Sequence, residues 1–498
     1  MARYPGFVGP SATGRSWTAA TDRSINWYPE LAQYAPAPES PIQLRPTPGY
    51  KLFGTLPSPA NQVESLYSEP KSGRVFSASQ GVLYELDSGG GISQLGLLGS
   101  GPYSFASNPA GQVMICSGGT GASVLLTGMG LMAPSGTFLG SALVDYSDAY
   151  FIILVPHSQQ FQISQLLDGL AGWSGLDFGS AYGSAEDVVA LKVLHRELWV
   201  FGTKRGEVYA NTGNPSFPFE RVSNVYIEQG IKAPQTLRIQ DNTLFWLGED
   251  RRGQGIVWRA EGYTPKRIST HALEYWIAKY AKEGRIDDAA AYAYQEEGHF
   301  FYMLHFPSAN PIVTYMGYNL PVTVYQGAAW CYDCTTAMWH ERLHWDSVTT
   351  MWQGFRGRSH CFGFGKQLIG DWKSGKIYEM SSDFFDDAGD PLRRVRVAPH
   401  VTDELKRIFY NQFRLNIQVG EGSKEDLDPH IALRMTDDGG KTWSSERGRS
   451  LGKQGRWNTL VRWNQLGAAR RRAFEVSTTA AVPVTLLDAY LELEEGLD

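Results

Sequence analysis

Apolar and polar residues alternate through most of this chain in short runs broken by Gly, Asn, Asp or Ser, the period-two signature of brief, half-buried strands. The runs come in pairs, the second often opening with Gly and an aromatic following: 74–78 then 81–86, 198–202 then 206–210, 244–247 then 255–259, and 367–370 then 375–380. Apolar onsets near Val63, Phe105, Val144, Val188, Leu237, Ala291 and Phe355 recur at a spacing that widens along the chain. The earlier intervals match a four-stranded propeller blade and the later ones a blade with insertions. A single small sheet cannot bury both faces, whereas radial stacking of several buries them all. The pattern therefore predicts a β-propeller of six or seven blades over residues 61–390, with an irregular array of β-sandwiches as the competing layout.

Three segments depart from the repeat. Leu273, Trp276, Ile277 and Tyr280 fall at i, i+3, i+4 and i+7 ahead of Gly284, which predicts one amphipathic helix over 271–283 packed on a blade. Prolines crowd the start of the chain, from Pro5 and Pro10 through Pro36, Pro38 and Pro41 to Pro57, Pro59 and Pro70. Each lacks an N–H and restricts its predecessor, so residues 1–60 are expected to form an extended arm without helix or central strand, lying across another surface. Between 382 and 394 the chain turns acidic (Asp383, Asp386, Asp387, Asp390) and then basic (Arg393, Arg394, Arg396), marking a boundary. Alternation resumes at Phe409, Phe413, Leu415 and Ile417, and predicts a C-terminal β-sandwich over 391–498.

Composition agrees with a mainly β protein. The 498 residues include 54 Gly and 26 Pro, aromatics reach 13% and charged residues only 19%, which disfavours coiled coil and disorder. A net charge of −6 with pI near 6.0 lacks the basic excess of a protein that grips nucleic acid by counterion release. The stretch from Met1 to Pro10 holds no secretory apolar core, and the most apolar stretches, 123–134 and 149–156, are too short to span a bilayer, so no membrane insertion is expected. Four cysteines make no disulfide framework. Cys331 and Cys334 form one Cys-x-x-Cys without a second pair for zinc or a βαβ setting for redox work, and synthesis in a reducing cytoplasm is expected.

Few motifs carry chemistry. His340-Glu341-Arg342-Leu343-His344 spells the zincin H-E-x-x-H, which requires a helix so that both imidazoles reach one ion. Its surroundings, Trp330, Tyr332, Trp339, Trp345 and Trp352 with interspersed threonines, predict strand and turn, where residues four apart stand about 13 Å from each other. Thr436, Asp438, Gly440, Thr442 and Trp443 fit the Asp-box [S/T]-x-D-x-G-x-[S/T]-W, a hairpin turn in which Asp caps backbone N–H groups, Gly takes positive φ and Trp is buried. A structural role is expected, with a glycan site as the rival. Arg470, Arg471 and Arg472 are the densest basic cluster, expected to be solvated or interfacial, with Arg471 on the opposite strand face from its neighbours. No phosphate-binding loop or dinucleotide fingerprint appears, and no catalytic residue, cofactor or metal site is nominated.

Taken in order, several segments resemble one family. Ser24-Ile25-Asn26-Trp27-Tyr28-Pro29-Glu30 followed by Pro46-Thr47-Pro48-Gly49-Tyr50-Lys51 is similar to the opening of tail proteins of short-tailed bacteriophages, called packaged-DNA stabilisation proteins, tail accessory factors or tail nozzle proteins. Glu228-Gln229-Gly230, Ile268-Ser269-Thr270 leading to Leu273-Glu274, Tyr332-Asp333 with Trp339, Gly370-Asp371 with Gly375-Lys376-Ile377-Tyr378, the 437–443 turn and Arg471-Arg472-Ala473-Phe474 continue the resemblance. Cys331 to Cys334, the insertion from Pro307 to Ala328 and the acidic 383–390 loop have no counterpart in it.

The resemblance implies a non-enzymatic virion tail protein, assembled in the host cytoplasm as a homohexameric ring below the portal and its adaptor ring. That ring would extend the DNA channel, retain packaged DNA and carry tail tip, needle or fibre proteins. Double-stranded DNA would pass through without sequence-specific binding. The alternative is a glycan-binding or glycan-hydrolysing, sialidase-like propeller, suggested by the Asp-box and the abundance of Trp and Tyr.

Overall fold

The computed structural model describes every residue except 17–19, 33–40, 59–60, 119–120, 127, 184–185, 251, 310–326, 425 and 497–498. Most of the expected insertion from Pro307 to Ala328 therefore lies outside the described residues. Five consecutive antiparallel four-stranded sheets run from Ser65–Ser68 to Ile92–Leu97, Tyr103–Ser107 to Gly130–Met132, Val144–Ser147 to Phe178–Ser180, Val188–Leu194 to Phe219–Ile227, and Arg238–Gln240 to Thr264–Arg267. A sixth unit is made by Ala290–Glu296, His299–Phe306, Ala328–Asp333 and Met338–Glu341. The seventh takes Gly357–Gly363, Lys366–Asp371 and Lys376–Ser381 from late in the chain and its outer strand, Gly49–Thr55, from near the start.

Each neighbouring pair of sheets encloses one apolar layer. Phe76 and Leu83 meet Val113 and Ile115 between the first two units, and Phe245 and Leu247 meet Tyr302 and Leu304 between the fifth and sixth. The ring closes where Val75 and Leu86 of the first unit pack on Leu368 and Ile377 of the seventh. This is the radial burial that alternating strands require, because every sheet hides both faces against neighbours. The predicted helix occupies His271–Glu283, capped by Thr270 accepting from the Leu273 N–H and stopped at Gly284. Its stripe of Leu273, Trp276, Ile277 and Tyr280 fills the layer between the fifth and sixth units.

The strands from Arg394–Val397 onward form the sandwich together with strands from near the start of the chain. One of its sheets contains Ile42–Pro46, Leu486–Glu495, Ile408–Ile417 and Val461–Asn464, with Trp27–Leu31 at one edge and Ala2–Arg3 paired to Leu486–Glu495. The other contains Arg394–Val397, Arg471–Thr478, His430–Thr436 and Arg447–Ser450. Trp27, Phe413, Trp463 and Phe474 are fully buried between them.

The N-terminal segment corrects the expectation of an arm without central strands. Arg23–Ile25 sits inside a ten-stranded sheet, pairing in parallel with Met338–Glu341 of the sixth blade and antiparallel with Arg394–Val397 of the sandwich. The prolines punctuate the segment rather than exclude strands from it. The stretches between Pro10 and Pro29 and between Pro48 and Pro57 are proline-free and supply Arg23–Ile25 and Gly49–Thr55. Pro29 falls in the edge strand Trp27–Leu31, where a missing N–H disturbs no ladder. The acidic loop likewise returns to the propeller, since Asp386–Asp387 pairs with Gly49–Thr55 through Asp387 and Tyr50.

Gly49 permits this closure, because a Cβ there would lie 2.4 Å from the Asp386 carbonyl oxygen and 2.5 Å from that of Phe384. Gly49→Ala should lower the melting temperature by overpacking, at a cost of about 1–3 kcal/mol or more. Deleting residues 1–56 should abolish cooperative unfolding of both domains in calorimetry. A deletion mutant that melts like the full chain would restore the detached-arm picture.

Candidate functional site

The segment that opens the family resemblance, Ser24 to Lys51, runs along the junction of propeller and sandwich. Strand alternation sends Trp27 into the sandwich core, where its indole N–H donates to the Val484 carbonyl at 3.0 Å, and Tyr28 into the propeller layer beside Phe301. Asn26, in left-handed backbone at φ 55°, stands between them. Its amide donates to the carbonyls of Leu343 at 2.9 Å and Arg393 at 2.8 Å and accepts from the Leu343 N–H at 3.1 Å. A short polar side chain tolerates this backbone and ties three distant segments at one point.

Charges are buried on both sides of that point. Arg23 makes a bidentate pair with Glu341, Nε to Oε1 at 2.9 Å and Nη2 to Oε2 at 2.8 Å, and both side chains are buried. Arg396 is fully buried. Its guanidinium donates to the carbonyls of Gly6, Phe7, Gly9 and Pro10 at 2.6–3.0 Å and to the Asp22 carboxylate at 3.0 Å. Burial lowers its pKa and Asp22 opposes that shift. Arg342 donates to the Pro48 carbonyl at 2.9 Å and stacks over Phe355 with its charge 4.5 Å from the ring centre.

The H-E-x-x-H residues divide among these structures. His340 lies on Met338–Glu341 and His344 on Leu343–Asp346, in separate sheets, while the Glu between them is the partner of Arg23. His340 is held neutral, its pKa pushed down to about 3 by burial and then by Arg342. His344 contacts the Tyr50 hydroxyl at 3.1 Å and Arg356 Nη2 at 3.1 Å, with Asp387 and Asp390 at 3.4 and 3.3 Å. Among the described residues no cluster of His, Cys, Asp or Glu could hold a metal. Cys331 is buried and Cys334 half-buried, and both are free thiols.

The 436–443 turn is closed by Asp438. Its Oδ1 accepts from the Thr436 hydroxyl at 2.8 Å and from the Lys441 and Thr442 N–H groups at 2.9 Å, and Oδ2 accepts from the Thr442 hydroxyl at 2.6 Å. The Gly440 N–H donates to the Thr436 hydroxyl at 2.9 Å, with Gly439 and Gly440 at φ 77° and 86°. Desolvation would raise the Asp438 pKa, but the donors led by Thr442 outweigh it and bring it down to about 2. Trp443 packs on the seam cluster of Ile25, Leu343, Val395 and Val397, beneath Arg434, whose charge is 4.9 Å from its ring and which pairs with Glu475 at 2.6 Å. Only the Trp of the five motif residues thus reaches the junction. Arg472 is buried on Asp437 at 2.6 Å and Arg470 is exposed, so the triplet forms no single patch. Sequence reasoning missed Arg23, Arg396 and Asn26 as organising residues, since their partners lie 300 or more positions away.

A family model described as bacteriophage P22 Gp10, β-propeller, matches residues 24–385, and a second, bacteriophage P22 Gp10, β-sandwich, matches residues 393–494. No curated protein matches the chain. Solved structures similar to it include the WD40 β-propeller domain of Doa1, at 10% identity over 67% of this chain and 97% of that one with a TM-score of 0.39. The N-terminal domain of Nup159 is similar at 9% identity over 72% and 99% with a TM-score of 0.40.

Breaking one partner of a buried ion pair strands the other, so Arg23→Met and Glu341→Gln should each cost about 3–5 kcal/mol, and the double variant R23M/E341Q less than their sum. Calorimetry should also show the single variants splitting into two transitions as the domains uncouple. Additive losses below about 1 kcal/mol would mean the pair does not join them. For the turn, the Asp438 pKa is depressed from its ordinary 3.8 to about 2. Its stabilisation is complete above pH 4 and disappears as pH falls through 2, so the melting-temperature gap between wild type and D438N should close over that window.

Proposed function

The chain belongs to the bacteriophage P22 Gp10 family, whose members are structural proteins of the virion tail, and from that premise we propose that it is a tail nozzle or hub subunit. Six copies form a ring below the portal and adaptor ring, extend the DNA channel, hold packaged DNA back and carry tip, needle or fibre components. The role is mechanical rather than catalytic.

The observation that supports this reading is the unbroken sheet from the sixth blade through Arg23–Ile25 into the sandwich. Two domains joined by a flexible linker rotate independently, whereas backbone hydrogen bonds across the seam make one stiff body. A wall that must contain pressurised DNA calls for the second arrangement. The 436–443 turn serves that stiffness by seating Trp443 on the seam.

Electron microscopy of the purified protein, alone or with adaptor and tip components, should show six-membered rings with a central channel of DNA width. A monodisperse monomer that assembles with none of them would falsify the proposal. Hydrolysis of labelled polysaccharides by the pure protein would move the function to the glycan-active reading.

A further inference from the structure

From 447 to 474 the chain contains Arg447, Arg449, Lys453, Arg456, Arg462, Arg470, Arg471 and Arg472 and not one Asp or Glu, although the full sequence has 51 acids against 45 bases. Arg472 is buried on Asp437. The first five are exposed, and none makes an ion pair among the described residues.

The fold brings these five to one side of the sandwich. Arg447–Ser450 is the edge strand of one sheet and Val461–Asn464 the end strand of the main path in the other, and the 451–460 loop joins them. The two edges touch, since Arg449 Nε donates to the Arg462 carbonyl at 3.0 Å and the Trp463 indole donates to the Arg447 carbonyl at 2.6 Å. Arg462 also stands directly opposite Arg414 across the ladder. Like charges in that register destabilise a sheet, and the exposed Glu492 and Glu494 lie two strands away from Arg462, beyond Ile408–Ile417. Trp457 in the loop is 59% exposed and Leu460 50%.

Cations on edge strands can serve only to block edge-to-edge pairing. That role does not account for Lys453 and Arg456 in the loop, for an exposed indole among them, or for a repulsive Arg414–Arg462 pair. An external polyanion accounts for all three, because it neutralises the repulsion and an exposed aromatic adds contact area to a basic surface. We propose that this strip binds the phosphodiester backbone of double-stranded DNA. The proposal rests on the conduit reading, and it places a weak, sequence-independent contact on the sandwich of an otherwise acidic protein.

The test is fluorescence anisotropy of the full-length protein with a labelled duplex of random sequence. Five phosphate contacts give a log–log salt slope of about −4.5, or a roughly 500-fold loss of affinity between about 50 and 200 mM salt. Replacing Arg447, Arg449, Lys453, Arg456 and Arg462 by Gln should flatten that slope. A control replacing Lys71, Arg196, Lys204, Lys266 and Lys376 by Gln changes net charge equally and should leave it intact. The proposal fails if the wild type binds no duplex at low salt, or if both variants behave alike. It also fails if the strip variant loses self-assembly with its DNA slope unchanged, which would assign the cations to an acidic surface of a second copy. Rings counted by microscopy in the same preparation keep the conduit reading separate from this outcome.

Discussion

Four backbone carbonyls near the N-terminus have nowhere to go in a sheet, and the fold is organised around satisfying them. Gly6, Phe7, Gly9 and Pro10 lie in a stretch whose prolines and glycines prevent regular pairing, yet Phe7 is fully buried in the sandwich core. Buried carbonyls without partners are costly. Arginine is the side chain with enough donors in a fixed planar fork to gather several at once, and Arg396 does so while pairing with Asp22. Desolvating that charge is unfavourable, and the five acceptors offset it. Once Arg396 is fixed, Ser24 lies opposite it in the ladder, and the register of Arg23–Ile25 follows.

That register has consequences in both directions along the chain. Trp27 enters one core and Tyr28 the other, and after Ile42–Pro46 has joined the sandwich the chain begins Gly49–Thr55, the strand that completes the seventh blade. One segment therefore closes the propeller, builds the seam and adds strands to the sandwich. Neither domain is a continuous piece of sequence. Folding must bring positions near 24 to positions near 341 and 396 before either can be complete, so the two domains are coupled thermodynamically as well as mechanically.

Local signals were readable and long-range ones were not. The seven apolar onsets inferred near 63, 105, 144, 188, 237, 291 and 355 fall at or beside the first strands at Ser65, Tyr103, Val144, Val188, Arg238, Ala290 and Gly357. The helix is as its 3.6-residue spacing predicts, with both ends where Thr270 and Gly284 put them. These features depend on neighbours within one blade. Arg23–Ile25 and Gly49–Thr55 depend on partners more than 300 positions away, and high proline density hid the two proline-free windows that form them. The 436–443 turn shows the same division. Its hydrogen bonds are local and follow from the residue types, whereas the landing of Trp443 against Ile25 and Leu343 is visible only in three dimensions.

Net charge is the quantity whose meaning changes most. A total of −6 counts every arginine alike, but Arg23, Arg396, Arg434 and Arg472 are buried on carboxylates and present nothing to an approaching anion. Cations such as Arg447, Arg456 and Arg462 are exposed and make no ion pair among the described residues. What a polyanion meets is the local excess of unpaired charge within about a Debye length, roughly 8–10 Å, and not the sum over 55.3 kDa. An acidic protein can therefore repel DNA over most of its surface and still hold it at one band. That combination suits the proposed passage, which must retain a duplex yet let it go: repulsion prevents adhesion along the wall, and the proposed contact to the phosphate backbone has no sequence register to break as the duplex slides.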